Sequence, residues 1–365
     1  MESHHQRINK FLEDIKENKN YKKLDFPPYI YDDQEEVLIG KKIIAQKTKI
    51  TYMLDCDIGK HATLTNKEYI KSLSNKTLVI SPNIHYLIIK EFSRLNMYLN
   101  LSKAVDLEYL EITESRKLYS YGYNFNFNEI KAWPPNLKYL ILSNYNYPLV
   151  GLPASLIYLE VPTNYDYPLE NLPAGLISIK FSTKCKLNSL NLLPLGLKSI
   201  EFCNWFSFDG ELDNLPPGLE TLIMQTNVEN LCNLCALPYG LRFLILRNWT
   251  FEYSLENIPS SLEYLEIPIY TTNKVIKYFE TIEFPTTLKK LCLLTCSSYP
   301  HEDEIHGGDD DDNGNNSSDS DNSNSSYENT YYEKIEKIQS RRDKVIRTLQ
   351  QKYPELIITT KQGGL

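Results

Sequence analysis

The chain has no run of eighteen consecutive apolar residues, so the sequence offers no helix able to cross a bilayer. Its opening residues, among them Met1, Glu2, His4, His5 and Arg7, contain no apolar stretch of signal-peptide length, and a cytoplasmic protein is expected. Cysteine is odd in number. The seven, Cys56, Cys185, Cys203, Cys232, Cys235, Cys292 and Cys296, show no paired framework and read as reduced thiols. Fourteen glycines include no phosphate-cradling loop, and none of the six histidines sits within a Ser or Cys nucleophile motif. Cys232 and Cys235 form a C-x-x-C, but zinc needs a second pair at suitable spacing, and the sequence has none. Cys232 instead stands among Leu231, Leu234 and Leu237, where a thiol acts as a small core residue. Asp309, Asp311, Asn313 and Gly314 imitate half of a calcium loop, yet its twelfth position is Ser320 rather than a bidentate glutamate. These absences exclude the usual signatures of catalysis, so no catalytic residue, cofactor or metal is expected.

Charge is unevenly spread. Between His301 and Glu328 stand ten acidic residues and no Lys or Arg. Removing that −10 from the total of −8 leaves the rest of the chain near +2. There is no basic stripe with interleaved aromatics, which argues against nucleic acid as a partner.

What the sequence does have is a repeat. The cluster L-x-x-L-x-L, with Ile, Phe or Met replacing some leucines, starts at Leu137, Leu156, Leu176, Leu197, Leu219, Leu241, Leu262 and Leu288. Successive spacings are 19, 20, 21, 22, 22, 21 and 26. Weaker copies start at Ile84 and Leu107. A period near 20 residues is the mark of a solenoid. Within LIYLEV, Leu159 and Val161 alternate with Tyr158 and Glu160, the pattern of a strand with one buried face. One such strand cannot shelter its apolar side, whereas parallel stacking of neighbours buries a continuous core. Roughly 20 residues per turn leave no room for a full helix on the return path. That path carries Pro148, Leu149, Leu152 and Pro153, then Pro168, Leu169, Leu172 and Pro173, which suits an extended, donor-poor backbone. The predicted fold is a leucine-rich solenoid with a parallel β-sheet on its concave face, irregular or extended convex returns and a helical C-terminal segment.

The residues from Tyr145 to Gly175 resemble the FNIP repeat, a short leucine-rich repeat named for an aromatic-Asn-x-Pro-Ile/Leu run. Tyr145, Asn146, Pro148 and Leu149 match it, as do Tyr165, Pro168 and Leu169, with Asp166 in place of Asn. Phe208, Asp209 and Leu212 depart by lacking the proline, and so do Phe251, Glu252 and Leu255. Phe127, Asn128 and Ile130 echo the run at longer spacing. The resemblance covers roughly residues 120 to 295 and implies a protein-binding solenoid without naming a partner. Repeat proteins of this kind sometimes carry an F-box ahead of the array, but its Leu-Pro-x-Glu opening is absent here. Certain bacterial repeat proteins fuse a similar array to a cysteine-dependent ubiquitin ligase; outside these repeats only Cys56 could serve. The alternatives to a binding scaffold are therefore substrate recognition in a ubiquitin-ligase system, or a repeat with no strongly selected activity.

Four regions follow. Residues 1–75 form an N-terminal cap or extension, with a short polar helix near Phe11, Leu12 and Ile15 and one or two strands from Val37 to Leu54. Residues 76–298 are the repeat array. Residues 299–328 are a disordered acidic Asp/Asn/Ser loop with too little apolar surface to offset its conformational entropy. Residues 329–365 carry Tyr332, Ile335, Ile338, Val345, Ile346 and Leu349 at helical spacing, then Pro354 and a strand from Leu356 to Thr360. Helix and strand are expected to cap the array; a detached, partner-binding helix is the alternative.

On the concave sheet, one row reads Tyr86, Tyr109, Tyr139, Tyr158, Ser178, Ser199, Thr221, Phe243, Tyr264 and Lys290. The adjoining row reads Ile88, Glu111, Ile141, Glu160, Lys180, Glu201, Ile223, Ile245, Glu266 and Cys292. A stacked ladder of this kind stabilises itself by about 0.2–1 kcal/mol per pair. Exposed tyrosines beside scattered charges are also what protein interfaces favour. The candidate partner-binding residues are Tyr109, Tyr139, Tyr158, Phe243, Tyr264, Glu111, Glu160, Lys180 and Glu266. The expected partner is an unidentified protein, and the chain itself is expected to be monomeric.

Overall fold

The computed structural model describes residues 6, 10, 44–46, 49–54, 61–64, 77–80, 82, 84–90, 96–113, 126–127, 129–142, 145, 147–182, 190–203, 214–225, 237–247, 255, 258–269, 273–296 and 339–363. Most of 1–75, the acidic stretch 299–328, Cys56, Cys232, Cys235 and the proline-less copies at Phe208 and Phe251 lie outside them. The chain divides into two compact units, Met1–Leu222 and Ile223–Leu365.

In the first unit the strands are β1 (Ile44–Gln46), β2 (Lys49–Leu54), β3 (His61–Leu64), β4 (Thr77–Ile80), β5 (Tyr86–Lys90) and β6 (Asn96–Asn100). They continue with β7 (Tyr109–Thr113), β8 (Asn126–Phe127), β9 (Tyr139–Leu142), β10 (Tyr158–Val161), β11 (Ser178–Phe181) and β12 (Ser199–Phe202). Strands β3, β5, β7, β9, β10, β11 and β12 pair in that order, all parallel. This is a solenoid sheet, and the L-x-x-L-x-L stretches supply its strands. Leu87, Leu110, Leu140, Leu159, Ile179 and Ile200 are fully buried on its inner side. Each such side chain contributes about 1.5–3 kcal/mol relative to exposure.

The return path takes two forms. Early in the unit a second sheet, β1-β2-β4-β6-β8, runs through the returns, parallel except where β1 and β2 pair antiparallel. Its strands, Thr77–Ile80 and Asn96–Asn100 among them, contain no proline. Later returns contain Pro148 and Pro168, which have no N–H to offer a neighbour, and the described residues there form no strand. Strands β2 and β3 precede residue 76 and pair with β4 and β5.

Strand β13 (Thr221–Met224) spans the division between units. The second unit contains β14 (Phe243–Leu246), β15 (Tyr264–Pro268), helix α1 (Asn273–Thr281), β16 (Lys290–Cys296), helix α2 (339–352) and β17 (Ile357–Gly363). Strands β14 to β17 are parallel neighbours in order. Helix α1 lies on the return of the 26-residue step from Leu262 to Leu288, which has room for it where the 20-residue turns do not. Helix α2 buries Val345 and Leu349. At its end Lys352 Nζ donates to the Ile282 carbonyl at 2.7 Å and the Tyr353 hydroxyl donates to the same oxygen at 3.0 Å.

Three devices recur. First, the proline before each strand from β9 to β16 accepts an i to i+3 hydrogen bond from the leucine that begins the repeat, as in Leu156 N–H to Pro153 O (3.1 Å) and Leu262 N–H to Pro259 O (3.0 Å). Proline also holds the residue before it extended, and Leu193, Leu215, Leu237 and Phe284 turn inward from that position. Second, the residue before that leucine is small or polar. Ser155 Oγ donates to the Pro135 and Leu137 carbonyls, both at 2.8 Å, and Thr287 Oγ1 to those of Ser260 and Leu262 at 2.6 and 2.9 Å. Where glycine stands there, a Cβ on Gly175 would come 3.1 Å from the Ala154 carbonyl oxygen, so close approach rather than a left-handed backbone favours glycine. Third, tyrosines that are buried (Tyr145, Tyr165) or partly buried (Tyr278) accept from orphan amides of the return path. The Ile130 N–H donates to Tyr145 Oη at 3.0 Å, Leu149 N–H to Tyr165 Oη at 2.8 Å, and Leu255 N–H to Tyr278 Oη at 2.5 Å. Each of these hydroxyls thus satisfies a donor that would otherwise be lost on burial. Burial pushes the Tyr145 hydroxyl up to about 12.

Candidate protein-binding face

The sheet face turned away from the leucine core carries the candidate residues. In the first unit, register places Tyr86, Tyr109, Tyr139 and Tyr158 opposite one another on β5, β7, β9 and β10. Their ring centroids are spaced 6.3, 6.1 and 6.4 Å apart. With Ile88 and Ile141 they form an apolar cluster separate from the leucine core. Tyr109 is fully buried and Tyr158 is 3% exposed, whereas Tyr86 and Tyr139 are partly buried at the cluster's margin. Of this row, Tyr86 and Tyr139 therefore offer surface, while Tyr109 and Tyr158 hold the ladder together. Burial raises the Tyr139 and Tyr158 hydroxyls above their ordinary range, Tyr158 strongly, with the Glu160 carboxylate adding to the shift at Tyr158.

A carboxylate stands two residues after two of these tyrosines, on the same face. The Tyr109 hydroxyl donates to Glu111 Oε2 at 2.6 Å, and the Tyr158 hydroxyl to Glu160 Oε2 at 3.5 Å. Lys180 Nζ lies 3.4 Å from Glu160 Oε2, and Ser182 Oγ donates to Glu160 Oε1 at 3.3 Å. Burial alone would lower the Lys180 ammonium, but the Glu160 and Glu201 carboxylates outweigh it and raise the group.

The second unit repeats the tyrosine–glutamate step with different company. The Tyr264 hydroxyl donates to Glu266 Oε2 at 2.7 Å. Lys361 Nζ approaches the same oxygen at 2.9 Å, and Arg247 Nε reaches Glu266 Oε1 at 3.4 Å. Glu266 is 1% exposed; burial would raise its carboxyl, yet Lys361, Tyr264 and Arg247 hold it below the ordinary range. Phe243 is largely buried, and its ring centroid lies 6.2 Å from that of the partly buried Tyr264. Lys290 Nζ sits 5.9 Å over the Tyr264 ring.

The structure brings Tyr109, Tyr139, Tyr158, Glu111, Glu160 and Lys180 onto one face of the first unit, and Phe243, Tyr264 and Glu266 onto one face of the second. The chain is similar to a circular leucine-rich-repeat protein, CroV588, at 18% identity and a TM-score of 0.34, covering 60% of this chain and 43% of that one. It is also similar to an internalin, inlF, from Listeria monocytogenes str. 4b F2365, at 16% identity and a TM-score of 0.35, covering 63% of this chain and 71% of that one. The chain thus spans less than half the length of the circular protein. No protein-family model and no curated protein matches it.

The candidate residues omit a further row, at the edge where the strands begin. There Glu108 pairs with Lys138 (2.8 Å) and His85 (3.5 Å), and Lys198 with Glu220 (3.3 Å). In the second unit Glu263 lies between Arg242 (2.6 Å) and Lys289 (2.7 Å), whose hydrogen bonds hold its carboxyl near 2. The alternation of sign after the leading leucines, Glu108 then Lys138 and again Lys198, Glu220, Arg242, Glu263 and Lys289, is a readable signal, interrupted by Ile157 and Ile177. Arg247 and Lys361 gave none, because their meeting at Glu266 depends on strands 19 and 95 residues away in sequence. Among the described residues no group of His, Cys, Asp or Glu could hold a metal, and no helix is long and apolar enough to cross a membrane.

Proposed function

We propose that this leucine-rich solenoid is a protein-binding scaffold that docks its partner on the sheet face opposite the leucine core. One observation carries the reading: in each unit that face presents partly buried tyrosines, Tyr86 and Tyr139 in the first and Tyr264 in the second, beside charged side chains held by hydrogen bonds. Rigid aromatics among placed charges supply contact area at small cost in side-chain entropy, which is what protein interfaces use. Parallel pairing fixes the backbone beneath them, so little ordering remains to be done on binding. The repeat is read as the FNIP type, because Tyr145 and Tyr165 accept return-path amides from the aromatic position of that run.

The test is capture of partners by the full chain and by the Tyr139→Ala/Tyr264→Ala variant, with far-ultraviolet circular dichroism as the check on folding. Both rings are only partly buried, so the variant should stay folded while specific capture falls by on the order of tenfold or more. A folded variant that captures the same partners equally well would place the docking surface elsewhere.

A further inference from the structure

Resting on the reading of the outer sheet face as the docking surface, we propose that the face of Ile223–Leu365 takes an acidic segment of a partner protein.

The argument starts from charge. Glu263 lies between two cations, Arg242 and Lys289, and Glu266 between two more, Arg247 and Lys361. Each trio keeps one net positive charge, and Lys290 adds a fifth cation beside Tyr264. Five cationic side chains on this face therefore meet two carboxylates. The face of the first unit has the opposite balance: among the charges of its second outer row, Glu111, Glu160 and Glu201 outnumber Lys180. Its edge pairs, Glu108 with Lys138 and Lys198 with Glu220, cancel.

Placement narrows the partner further. Arg242, Lys289 and Lys290 mark the start of the strands, while Arg247 and Lys361 mark their far end. Five residues from Arg242 to Arg247 at a strand rise correspond to roughly 16 Å. Between the two cationic edges lie Ile245 and Tyr264, both partly exposed. Charged rims around an apolar centre describe a protein interface, and here both rims have the same sign. A complementary segment carries Asp or Glu at both ends of such a span and uncharged side chains between. A nucleic-acid strand fits less well, because a phosphate at every step must also pass Glu263 and Glu266. The cations remain accessible: Arg247, Lys289 and Lys361 side chains are 49%, 70% and 53% exposed.

The experiment uses the full chain and four probes: a random glutamate–tyrosine copolymer, a lysine–tyrosine copolymer, single-stranded DNA, and the chain itself. Binding is read by interferometry at about 50 mM and about 300 mM salt, and self-association by sedimentation. Two variants are compared with the parent chain, Lys289→Glu/Lys290→Glu and Arg247→Gln. Glu263 keeps Arg242 in the first and Glu266 keeps Lys361 in the second, so neither carboxylate is left without a cation. The expected result is binding of the glutamate copolymer, weakened on the order of tenfold by Lys289→Glu/Lys290→Glu and severalfold by Arg247→Gln or by the higher salt. Equal binding by all three chains, or stronger binding of DNA or the lysine copolymer, would overturn the proposal. Self-association abolished by Lys289→Glu/Lys290→Glu would overturn it too, by making a second copy the occupant. If the copolymer fails while Tyr139→Ala/Tyr264→Ala still loses its captured partner, only the acidic class is wrong and the docking face stands.

Discussion

The two units solve the same packing problem with different chemistry on their outer sheet faces. In Met1–Leu222 four tyrosines in register build an apolar cluster, and the innermost, Tyr109, is fully buried. In Ile223–Leu365 the aromatic row is short, Phe243 and Tyr264, and a buried carboxylate clasped by two cations takes the central place. One face is held mainly by dispersion and area removed from water, the other mainly by charge. The lesson is that the leucine repeat dictates the inner side of the sheet and leaves the outer side open to either solution.

The comparison can be broken most directly at its two tyrosines. Tyr109→Ala removes a fully buried ring and deprives the buried Glu111 of a 2.6 Å hydrogen bond. It should cost about 3–5 kcal/mol. Tyr264→Ala removes a partly exposed ring from a Glu266 that keeps Lys361 and Arg247, and should cost about 1–2 kcal/mol. Urea denaturation with hydrogen exchange resolved by segment measures both. Equal costs would mean that the first unit's ladder is no tighter than the second unit's pair.

An effect smaller than that of Tyr109→Ala tests what the units share. Tyr165→Phe and Tyr278→Phe each leave a return-path amide, that of Leu149 or Leu255, without its acceptor, at about 1–3 kcal/mol apiece. Exchange of those amides should quicken in both variants. Slow exchange in either would remove the tyrosine acceptor from the account of that unit.

pH separates the units again. The Glu263 carboxyl is held near 2 by Arg242 and Lys289, below an ordinary 4.5. Its stabilisation is therefore complete above about 4.5 and is lost as pH falls toward 2. Glu263→Gln should flatten that acid limb by on the order of 1–2 kcal/mol. Tyr158 shifts the other way, raised by burial, so its contribution is complete below an ordinary 10 and is lost as pH rises beyond it. Tyr158→Phe should flatten the alkaline limb. Segment-resolved exchange across the pH range should show the second unit loosening first in acid, and the reverse order would contradict the charge assignment.

The smallest effect should not distinguish the units at all. Ser155→Ala and Ser261→Ala each remove a hydroxyl that ties one turn to the carbonyls of the turn before. About 1 kcal/mol is expected for each by thermal melting. Unequal losses would show that the turn is built differently in the two units.

Much of this was legible in the residues. Leu137, Leu156 and their successors mark where each strand follows, because a period-two pattern inside a 20-residue repeat has one compact solution. The row order Tyr86, Tyr109, Tyr139, Tyr158 follows from the same spacing. The candidate list was less discriminating. It placed Tyr109 and Tyr139 side by side, yet one is buried and the other lies at the margin, a difference that neighbours across strands create and local pattern does not encode. Helix α1 has no distinct mark in the repeat pattern, although the 26-residue step before Leu288 leaves room for it.

By itself the sequence determined the repeat, the inner leucine row and the proline turn into the strands from β9 to β16, since all three rest on contacts between residues close in the chain or on a fixed period. Only the tertiary structure decided which sheet-face side chains are buried, that the early returns pair as a second sheet, and that Lys361 meets Glu266. Those outcomes depend on groups brought together from distant parts of the chain, and parallel register alone sets which of them become neighbours.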